Sequence, residues 1–395
     1  MDLEMDVLVV GAGPAGSTAA RYAAAGGART LLIEKRQEIG TPVRCGEALG
    51  RNWLEAVDLT PSSAFVAREI AASRVFSPDG TYLTVSGYAG AKGGYVVERD
   101  LFDRALAKEA SRAGARIEIK TSALGLLREG DRVVGVVCEH LGETWDVRAP
   151  VVIAADGFES QLGRWAGMTS PLRTRDLVSC LQVTLAGVRG DAAYSDLHLG
   201  SEAPGGYAWV FWKAEDVANV GLGVPLSRLK DRAEVKRYLD AFIARRPGLA
   251  RGEPIEEVAG GVTTSLPVER SAMAGLLLAG DAARLIDPLT GAGIQNALLS
   301  GRLAGEAAAR AVREGDASGE RLASYDRAWR SRLEEDLARH YLVKEGLQKL
   351  DDAAIDRVFH AIAEADLRPL TVPSVLDVLR ARTPEVLRTF EGLGF

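Results

Sequence analysis

The first 34 residues alternate between short apolar runs and a stretch of small residues. Residues 6–11, DVLVVG, and residues 28–34, ARTLLIE, have the apolar pattern of buried strands. Between them an alanine-rich segment from about residue 15 to residue 25 predicts a helix, which Gly26 and Gly27 end. This order predicts a β-α-β unit whose two strands run parallel.

Further along the chain the strand patterns change in length. A strand at residues 94–97 and a helix at 100–113 precede strand patterns at 115–120, 131–140 and 149–156. Longer alternating segments around residues 79–80 and across 170–265 are typical of an antiparallel sheet. A buried strand returns at residues 275–281, and a helical period follows from Gly293 to about Arg313. Beyond residue 315 the pattern is helical, with expected breaks at Pro369, Pro373 and Pro384.

These patterns predict an α/β fold, α+β overall, in three parts. We expect a discontinuous Rossmann-like domain with a parallel sheet from residues 1–74, 96–170 and 270–314. Residues 75–95 and 171–269 are expected to form an antiparallel-sheet domain, and residues 315–395 a C-terminal helical region.

Composition excludes several classes of protein. With 48 Lys and Arg against 54 Asp and Glu, the net charge is -6, so no nucleic-acid partner is expected. The three cysteines are widely scattered, which favours a reducing compartment over a disulfide framework. The four histidines lack ligand spacing, so no metal is expected. Because no apolar run reaches about 18 residues, we expect a cytoplasmic protein that at most sits on a membrane surface.

The clearest motif is GAGPAG at residues 11–16, between the first predicted strand and helix. Gly11 permits the tight turn, Gly13 lets a pyrophosphate approach the backbone, and Gly16 lets the helix and strand pack closely. The N-terminus of the helix then faces the phosphate charge. Glu34 follows at the end of the second strand, where its carboxylate can accept hydrogen bonds from ribose hydroxyls. A glycine turn without a nucleotide is the weaker interpretation.

NAD and FAD share this fingerprint, and residues 276–294 decide between them. The sequence LLLAGDAARLIDPLTGAGI places Asp281 after a buried strand, where it can bind a ribityl or ribose hydroxyl. Gly291 and Gly293 precede a helix whose N-terminus can donate N–H groups to the pyrimidine edge of a flavin. The segment therefore favours FAD, although Asp281 as a simple helix cap is the alternative.

Four further segments give the chain a family resemblance. Residues 151–164, with Asp156 and Gly157, and Arg99 in YVVERDLFDRALA resemble the glutathione-reductase-type FAD proteins, in the branch that includes aromatic hydroxylases. PVRCGE at residues 42–47 and PGGYAWVFWKAEDVANVGLG at 204–223 are similar to the geranylgeranyl reductase family in particular. One departure is Trp212, which stands where that family usually has proline.

The resemblance implies a function and its residues. The discontinuous domain would bind FAD, the antiparallel sheet would bind substrate, and the enzyme would saturate the C=C bonds of geranylgeranyl chains. Archaeal-type ether phospholipids are the favoured carriers of these chains. An external electron donor (NADPH, ferredoxin or another reduced carrier) and peripheral contact with a membrane are also implied. The implied cofactor-binding residues are Gly11, Gly13, Ala15, Gly16, Glu34, Cys45, Gly46, Ala48, Arg99, Ala123, Asp281, Gly293 and Ile294.

Reduction of an isolated alkene needs a proton as well as two electrons, because no carbonyl takes up the developing charge. Within this resemblance Cys45 is the predicted catalytic acid, since a free thiol is mostly protonated at neutral pH. In the alternative interpretation Cys45 only packs against the flavin, and water or Glu47 supplies the proton. Cys138 and Cys180 lie within predicted strands, where packing explains them better.

Tyr207, Trp209 and Phe211 recur at period two and therefore project from one face of a strand. Such a row could line a channel for a methyl-branched hydrocarbon, and we predict that these residues bind the substrate. Ordinary sheet core explains the pattern equally well, and the resemblance favours the channel.

Two other functions compete with this prediction. An FAD-dependent, aromatic-hydroxylase-like monooxygenase would share the fold but would not need Cys45 within PVRCGE. A non-catalytic prenyl-binding escort protein would share the fold without a flavin, which Glu34, Asp281 and residues 291–294 disfavour. The exact prenyl substrate stays open between a lipid-linked chain, a free diphosphate, and a chlorophyll or quinone side chain.

Overall fold

A computed structural model describes residues 3–85, 93–365, 367 and 372–388. The predicted break at Pro369 and residues 86–92 of the predicted antiparallel-sheet domain lie outside these ranges. Within the described residues, no helix combines the length and the apolar character needed to cross a bilayer.

The parallel sheet predicted from the apolar runs is present. In the described residues it has the order β19-β20-β13-β2-β3-β9, with all neighbours parallel except the edge strand β19. Its central strands are fully buried because helices pack against them and because apolar residues of a second sheet, within residues 133–147, belong to the same hydrophobic core. The strands are β2 (Val7–Val10), β3 (Thr30–Ile33), β9 (Arg116–Glu118), β13 (Val151–Ala154), β19 (Ala272–Met273) and β20 (Leu276–Leu278).

Helices α1 (Pro14–Ala25) and α7 (Ile294–Glu314) pack closely against each other through small residues. A Cβ atom added at Gly301 would lie 2.3 Å from the carbonyl oxygen of Ala15 in α1. This contact sets the start of α1 beside the start of α7, so the two segments predicted to hold a cofactor meet at one edge of the sheet. Helix α3 (Arg99–Arg112) also packs on α1.

A second sheet was not predicted as a separate unit. Its order is β1-β12-β11-β10. In the sequence, β10, β11 and β12 lie between β9 and β13 of the parallel sheet. Strand β1 pairs parallel with β12, whereas the other two pairs are antiparallel hairpins. The strands are β1 (Leu3–Glu4), β10 (Thr121–Glu129), β11 (Arg132–His140) and β12 (Glu143–Arg148), and the short helix α4 (Gln161–Trp165) follows β13.

The long alternating segments form a seven-stranded sheet of order β18-β14-β17-β16-β15-β6-β7. The prediction of an antiparallel sheet holds for all pairs but one, since β15 runs parallel to β6. Helices α5 (Glu234–Ala244) and α6 (Pro247–Ala250) pack beside one face. The strands are β6 (Ala72–Phe76), β7 (Tyr82–Val85), β14 (Leu177–Ala186), β15 (Tyr194–His198), β16 (Tyr207–Trp212), β17 (Val217–Pro225) and β18 (Glu253–Thr263).

A three-stranded antiparallel sheet stands between these units. It contains β4 (Ala48–Gly50), β5 (Val66–Ile70) and β8 (Gly94–Val97), in the order β4-β8-β5, with helix α2 (Asn52–Glu55) after β4. The predicted strand at residues 94–97 therefore exists, but it lies outside the parallel sheet. The predicted boundary between residues 74 and 75 falls inside β6, so the division into domains remains an interpretation.

The C-terminal region is helical, as predicted. It consists of α8 (Gly319–Leu347), α9 (Asp352–Ala365), α10 (Val372–Arg382) and α11 (Pro384–Leu387). Pro373 and Pro384 lie in the first turns of α10 and α11, where proline is tolerated because the first helical N–H groups have no partner within the helix. Helix α8 contacts both α7 and β19.

Candidate active site

The glycines of GAGPAG have different structural roles. Gly11 has a φ of +99°, and a Cβ atom added at Gly16 would lie 1.7 Å from the carbonyl oxygen of Gly11, so the fold itself requires both glycines. Gly13 has an ordinary φ of −72°, and a Cβ atom there would meet no described atom within 4 Å. The open space at Gly13 lies at the uncapped N-terminus of α1, which suits the phosphates of a dinucleotide.

Glu34 stands at the carboxyl end of β3, beside this turn. Its Oε2 accepts a hydrogen bond from the Ala12 N–H at 2.9 Å, and its Oε1 accepts one from the Arg36 N–H at 3.0 Å. The Thr121 N–H donates to the Glu34 carbonyl, which brings the start of β10 close. Ala123 lies two residues further along that strand. The structure thus brings two predicted cofactor-binding residues, Glu34 and Ala123, near each other.

Asp281 follows β20, in a short 3₁₀ turn at the start of the segment that leads to α7. No described residue donates a hydrogen bond to its carboxylate, and burial raises its pKa to about 6 although Arg99 opposes the shift. A Cβ atom at Gly293 would lie 3.3 Å from Asp281 Oδ1. A partly buried carboxylate to which no described residue donates fits a hydroxyl-bearing cofactor such as FAD.

Asp281→Asn is expected to change stability and cofactor affinity in opposite directions. The folded pKa of about 6 exceeds the ordinary 3.8, so the folded apoprotein binds a proton more tightly than the unfolded chain does. Stability from this group is full below about pH 4 and is lost as pH rises through about 6. Thermal unfolding of the apoprotein at several pH values should show this loss in the wild type and not in the variant, which should also bind FAD more weakly. Parallel pH curves would contradict the assignment.

Arg99 is the first residue of α3, as the family resemblance required. Its guanidinium forms a bidentate ion pair with Asp103 one turn later, with both N···O distances at 3.0 Å. It also interacts electrostatically with Asp281 and with the side chain of Cys45. Arg99 therefore brings the predicted ribityl-binding acid and the predicted proton donor into one electrostatic cluster.

Cys45 lies in a loop that hydrogen bonds fix at both ends. The Glu47 N–H donates to Cys45 Sγ at 3.2 Å, and the Gln182 side chain donates to the Cys45 carbonyl oxygen at 3.2 Å. Gln182 in turn accepts a hydrogen bond from Trp209 Nε1 at 2.9 Å. A buried amide from β14 thus links the Cys45 loop to the aromatic row of β16.

Glu47 holds the other end of this loop. Its backbone has a φ of +74°, a left-handed conformation that non-glycine residues rarely adopt. The carboxylate, only 3% exposed, accepts hydrogen bonds from the Arg99 N–H, Lys213 Nζ and Asn219 Nδ2 at 2.9, 2.9 and 2.6 Å. Burial acts against the charged amine of Lys213, but Glu47 and Glu98 outweigh it and raise the Lys213 pKa. Glu47 is therefore an anchor between α3 and the seven-stranded sheet.

Glu47→Gln is expected to lower the free energy of unfolding by about 1–3 kcal/mol, because buried donors lose a charged acceptor. Urea unfolding of the apoprotein measures the loss. Glu69→Gln is the matched control, since Glu69 pairs with Arg51 at the surface and such pairs contribute about 0–1 kcal/mol. Equal losses in the two variants would show that Glu47 is no anchor.

A cavity of about 460 Å³ opens between the Cys45 loop, residues 288–295 and one face of the seven-stranded sheet. Tyr207, Trp209 and Phe211 all line it, which confirms that they share one face. A Cβ atom at Gly46 would lie 2.9 Å from the ring of Phe211, so only glycine fits there. Ala48, Gly293 and Ile294 also border the cavity, whereas Ala15 lies at the α1–α7 crossing.

Cys180 and Trp212, which lie close to the aromatic residues of β16, have positions that the sequence did not indicate. Cys180 was predicted to pack within the sheet, but its side chain borders the cavity. Cys138 lies in the hydrophobic core, as predicted. Trp212 faces the opposite side of the sheet and is buried in the cluster beneath α5. The departure from proline at position 212 therefore does not shape the cavity.

Sequence patterns missed several residues of the site. Gln182, Lys213 and Asn219 fix the Cys45–Glu47 loop. Lys344 of α8 and Gln348, which directly follows α8, border the cavity. Gln182 and Asn219 are polar residues within largely apolar strands, β14 and β17, and this contrast was the sequence signal that could have revealed them. No pattern marked the residues on α8.

Comparison with known proteins bears directly on this site. The geranylgeranyl reductase catalytic domain family matches residues 176–262, and the FAD dependent oxidoreductase family matches residues 6–176. The digeranylgeranylglycerophospholipid reductase of Thermoplasma volcanium is 44% identical over 391 residues, which cover 98% of this chain and 99% of the relative. The protein of the same name from Picrophilus torridus is 43% identical over 100% of both chains.

The chain belongs to the geranylgeranyl reductase family.

A solved structure agrees with this assignment. A geranylgeranyl bacteriochlorophyll reductase-like protein from Thermoplasma acidophilum superposes with a TM-score of 0.94 at 44% identity, and the match covers 100% of both chains. The predictions of the family, the fold class and FAD as the cofactor are confirmed. The two matched families end at residue 262, so the cavity-lining residues of α8 lie beyond them.

Proposed function

We propose that this geranylgeranyl reductase family member saturates the C=C bonds of geranylgeranyl chains on archaeal-type ether phospholipids. The observation that carries the proposal is the cavity, in which an aromatic row faces the Cys45 loop and the segment around Gly291–Ile294. Relatives that share more than 40% identity over almost the whole chain are named digeranylgeranylglycerophospholipid reductases, which supports the lipid-linked substrate.

Each residue of the site has a proposed task. The Gly11–Gly16 turn, Glu34, Ala123 and Asp281 would hold the adenosine, pyrophosphate and ribityl parts of FAD, and Arg99, Gly46, Ala48, Gly293 and Ile294 would surround its ring. Reduced FAD supplies the two electrons for each double bond when it is bound. Tyr207, Trp209 and Phe211 would hold the prenyl chain and exclude water, because a long hydrocarbon is bound best by apolar surface.

Cys45 is the proposed proton donor. It borders the cavity, and two hydrogen bonds fix its loop, so its thiol has a defined position toward the substrate. Cys180 is a second thiol at the same cavity, and burial raises its pKa to about 12, so it stays protonated. The interaction of Cys45 with Arg99, which is proposed to lie at the flavin, supports Cys45 rather than Cys180 as the donor.

Two partners complete the proposal. The oxidised enzyme must be reduced again by an external donor, which is NADPH, ferredoxin or another reduced carrier. The substrate is a membrane lipid, so the cytoplasmic enzyme would contact the membrane surface peripherally to take up a prenyl chain that seldom leaves the bilayer.

The test is a mass measurement on the reaction product. Dithionite-reduced enzyme is incubated without oxygen with a geranylgeranylated ether phospholipid, and product masses should rise in steps of two hydrogens. Geranylgeranyl diphosphate in a parallel reaction distinguishes a free chain from a lipid-linked one. An oxygenated product in air would favour the monooxygenase alternative, and an unchanged lipid would refute the proposal.

A further inference from the structure

The loop of residues 287–293 is the part of the site predicted to face the flavin ring, and Asp287 organises it. Its Oδ1 accepts hydrogen bonds from the N–H groups of Leu289 and Thr290 at 2.9 and 3.0 Å. The Asp287 carbonyl oxygen accepts a further bond from the Gly291 N–H at 2.9 Å. The conformation of the loop therefore depends on where the Asp287 side chain is held.

The second carboxylate oxygen of Asp287 is bound from a distant part of the chain. His340 Nδ1 lies 2.6 Å from Asp287 Oδ2, and the two residues are only 7% and 3% exposed. We assign the hydrogen to His340 Nδ1, because a carboxylate can only accept. His340 stands in the C-terminal half of α8, within the region that the sequence predicted only to be helical.

The same face of α8 contacts other sides of the site at intervals of four residues. Lys344 Nζ bonds Asp176 Oδ1 at 3.1 Å and the Thr264 carbonyl oxygen at 2.9 Å, where β14 begins and β18 ends. The Gln348 side chain donates to the Gly205 carbonyl oxygen, just before β16. Residues four apart share a helix face, so His340 and Lys344 lie on one face of α8, and Gln348 follows as the residue that caps the helix. Helix α8 thus joins the loop to the sheet that carries the aromatic row.

The aromatic row is also bonded to the loop directly. The Tyr207 hydroxyl donates a hydrogen bond to the Thr290 carbonyl oxygen. Tyr207 therefore holds the loop from the cavity side, and His340 holds it from the side of α8.

We propose that His340 is a positioning residue, whose hydrogen bond to Asp287 keeps the 287–293 loop in the conformation that receives the flavin. The inference deepens the proposed function, on which it rests only for the use of FAD. Loss of the bond should weaken FAD binding. It should weaken binding of the reduced form more, because loop N–H groups and the N-terminus of α7 favour a flavin that gains negative charge.

The test compares His340→Ala with His340→Asn, whose side-chain amide replaces the Nδ1–H donor. FAD affinity is measured by titration of the apoprotein, and the two-electron midpoint potential is measured on the holoenzyme. We expect His340→Ala to bind oxidised FAD at least tenfold more weakly. A further tenfold loss for reduced FAD corresponds to a potential about 30 mV more negative. His340→Asn should restore both values to within threefold and about 15 mV of wild type.

Tyr341→Phe is the matched control on the same helix. It removes the hydroxyl contacts to Asp176 and Arg173 and leaves the His340–Asp287 bond in place. We expect its FAD affinity and potential to equal those of the wild type, whatever its effect on the free energy of unfolding. Equal effects of Tyr341→Phe and His340→Ala would overturn the proposal, as would a wild-type affinity and potential in His340→Ala.

Two further results distinguish the proposed role of His340 from a general folding defect and from an error in the proposed substrate. Should His340→Ala fail to fold, the asparagine variant decides, and a tenfold loss of FAD affinity there would refute the hydrogen bond as the positioning contact. Neither readout involves a lipid. A protein that shows the expected affinities and potentials but reduces no geranylgeranyl chain would therefore refute the proposed substrate and leave the role of His340 intact.

Discussion

Cys45→Ala is expected to slow saturation of a geranylgeranyl chain by about 10²–10⁴-fold, the usual contribution of a positioned general acid. The thiol borders the cavity, and alanine removes it together with the sulfur that accepts from the Glu47 N–H. The bond from the Gln182 side chain to the carbonyl oxygen of residue 45 remains and holds the backbone of the loop. FAD affinity should change by no more than about threefold, since alanine retains the backbone contacts of residue 45.

The measurement is single-turnover reduction of a geranylgeranylated ether phospholipid by pre-reduced enzyme without oxygen. Cys180→Ala is the control, because it removes a second thiol from the same cavity and leaves the hydrogen bonds of the Cys45 loop in place. We expect that variant to keep the wild-type rate within a few-fold. A wild-type rate in Cys45→Ala would remove Cys45 as the acid, and a large loss confined to Cys180→Ala would move that role to Cys180.

Gly13→Ala is expected to give a folded protein that binds FAD about ten- to a hundredfold more weakly. The backbone of Gly13 suits any residue, and an added Cβ atom meets no described protein atom within 4 Å. The space is needed only by the pyrophosphate of the cofactor. A methyl group forced into a close contact costs about 1–3 kcal/mol, which corresponds to this loss of affinity.

Titration of the apoprotein with FAD, beside urea unfolding, separates binding from folding in this variant. Gly125→Ala is the control, since an added Cβ atom there also meets open space but lies on β10. Gly16→Ala should instead unfold the protein, because its Cβ atom would overlap the carbonyl oxygen of Gly11. Full FAD affinity in Gly13→Ala would mean that the phosphates lie elsewhere.

The parts of the fold that follow from local pattern were predictable. Strand β2, helix α1 and strand β3 are adjacent in sequence, and their apolar periods specify both their type and their burial. Period two also placed Tyr207, Trp209 and Phe211 on one face, and the cavity confirms it. The sequence pattern alone could not show whether this face borders a cavity, because the walls of a channel and the hydrophobic core contain the same types of residue.

The parts that depend on distant pairing were not predictable. Strand β1 pairs with β12 although the paired residues, such as Leu3 and Val147, are far apart in the sequence. The parallel pairing of β15 with β6 is similarly remote. The bond between His340 and Asp287 spans 53 residues and joins an ordinary-looking helix to a glycine-rich loop. Such contacts have no periodic signature, since single polar residues form them only after the helices and sheets have packed.

The central claim is that electrons pass from the bound flavin to a prenyl double bond. Enzyme reduced with a limited amount of dithionite is titrated without oxygen with a geranylgeranylated ether phospholipid, and flavin absorbance and product mass are recorded on the same samples. The account predicts that each flavin oxidised corresponds to one double bond saturated, with a gain of two hydrogens, and that a fully saturated lipid leaves the flavin reduced. A flavin that stays reduced with the unsaturated lipid, or that oxidises without a gain of hydrogen in the lipid, would contradict it.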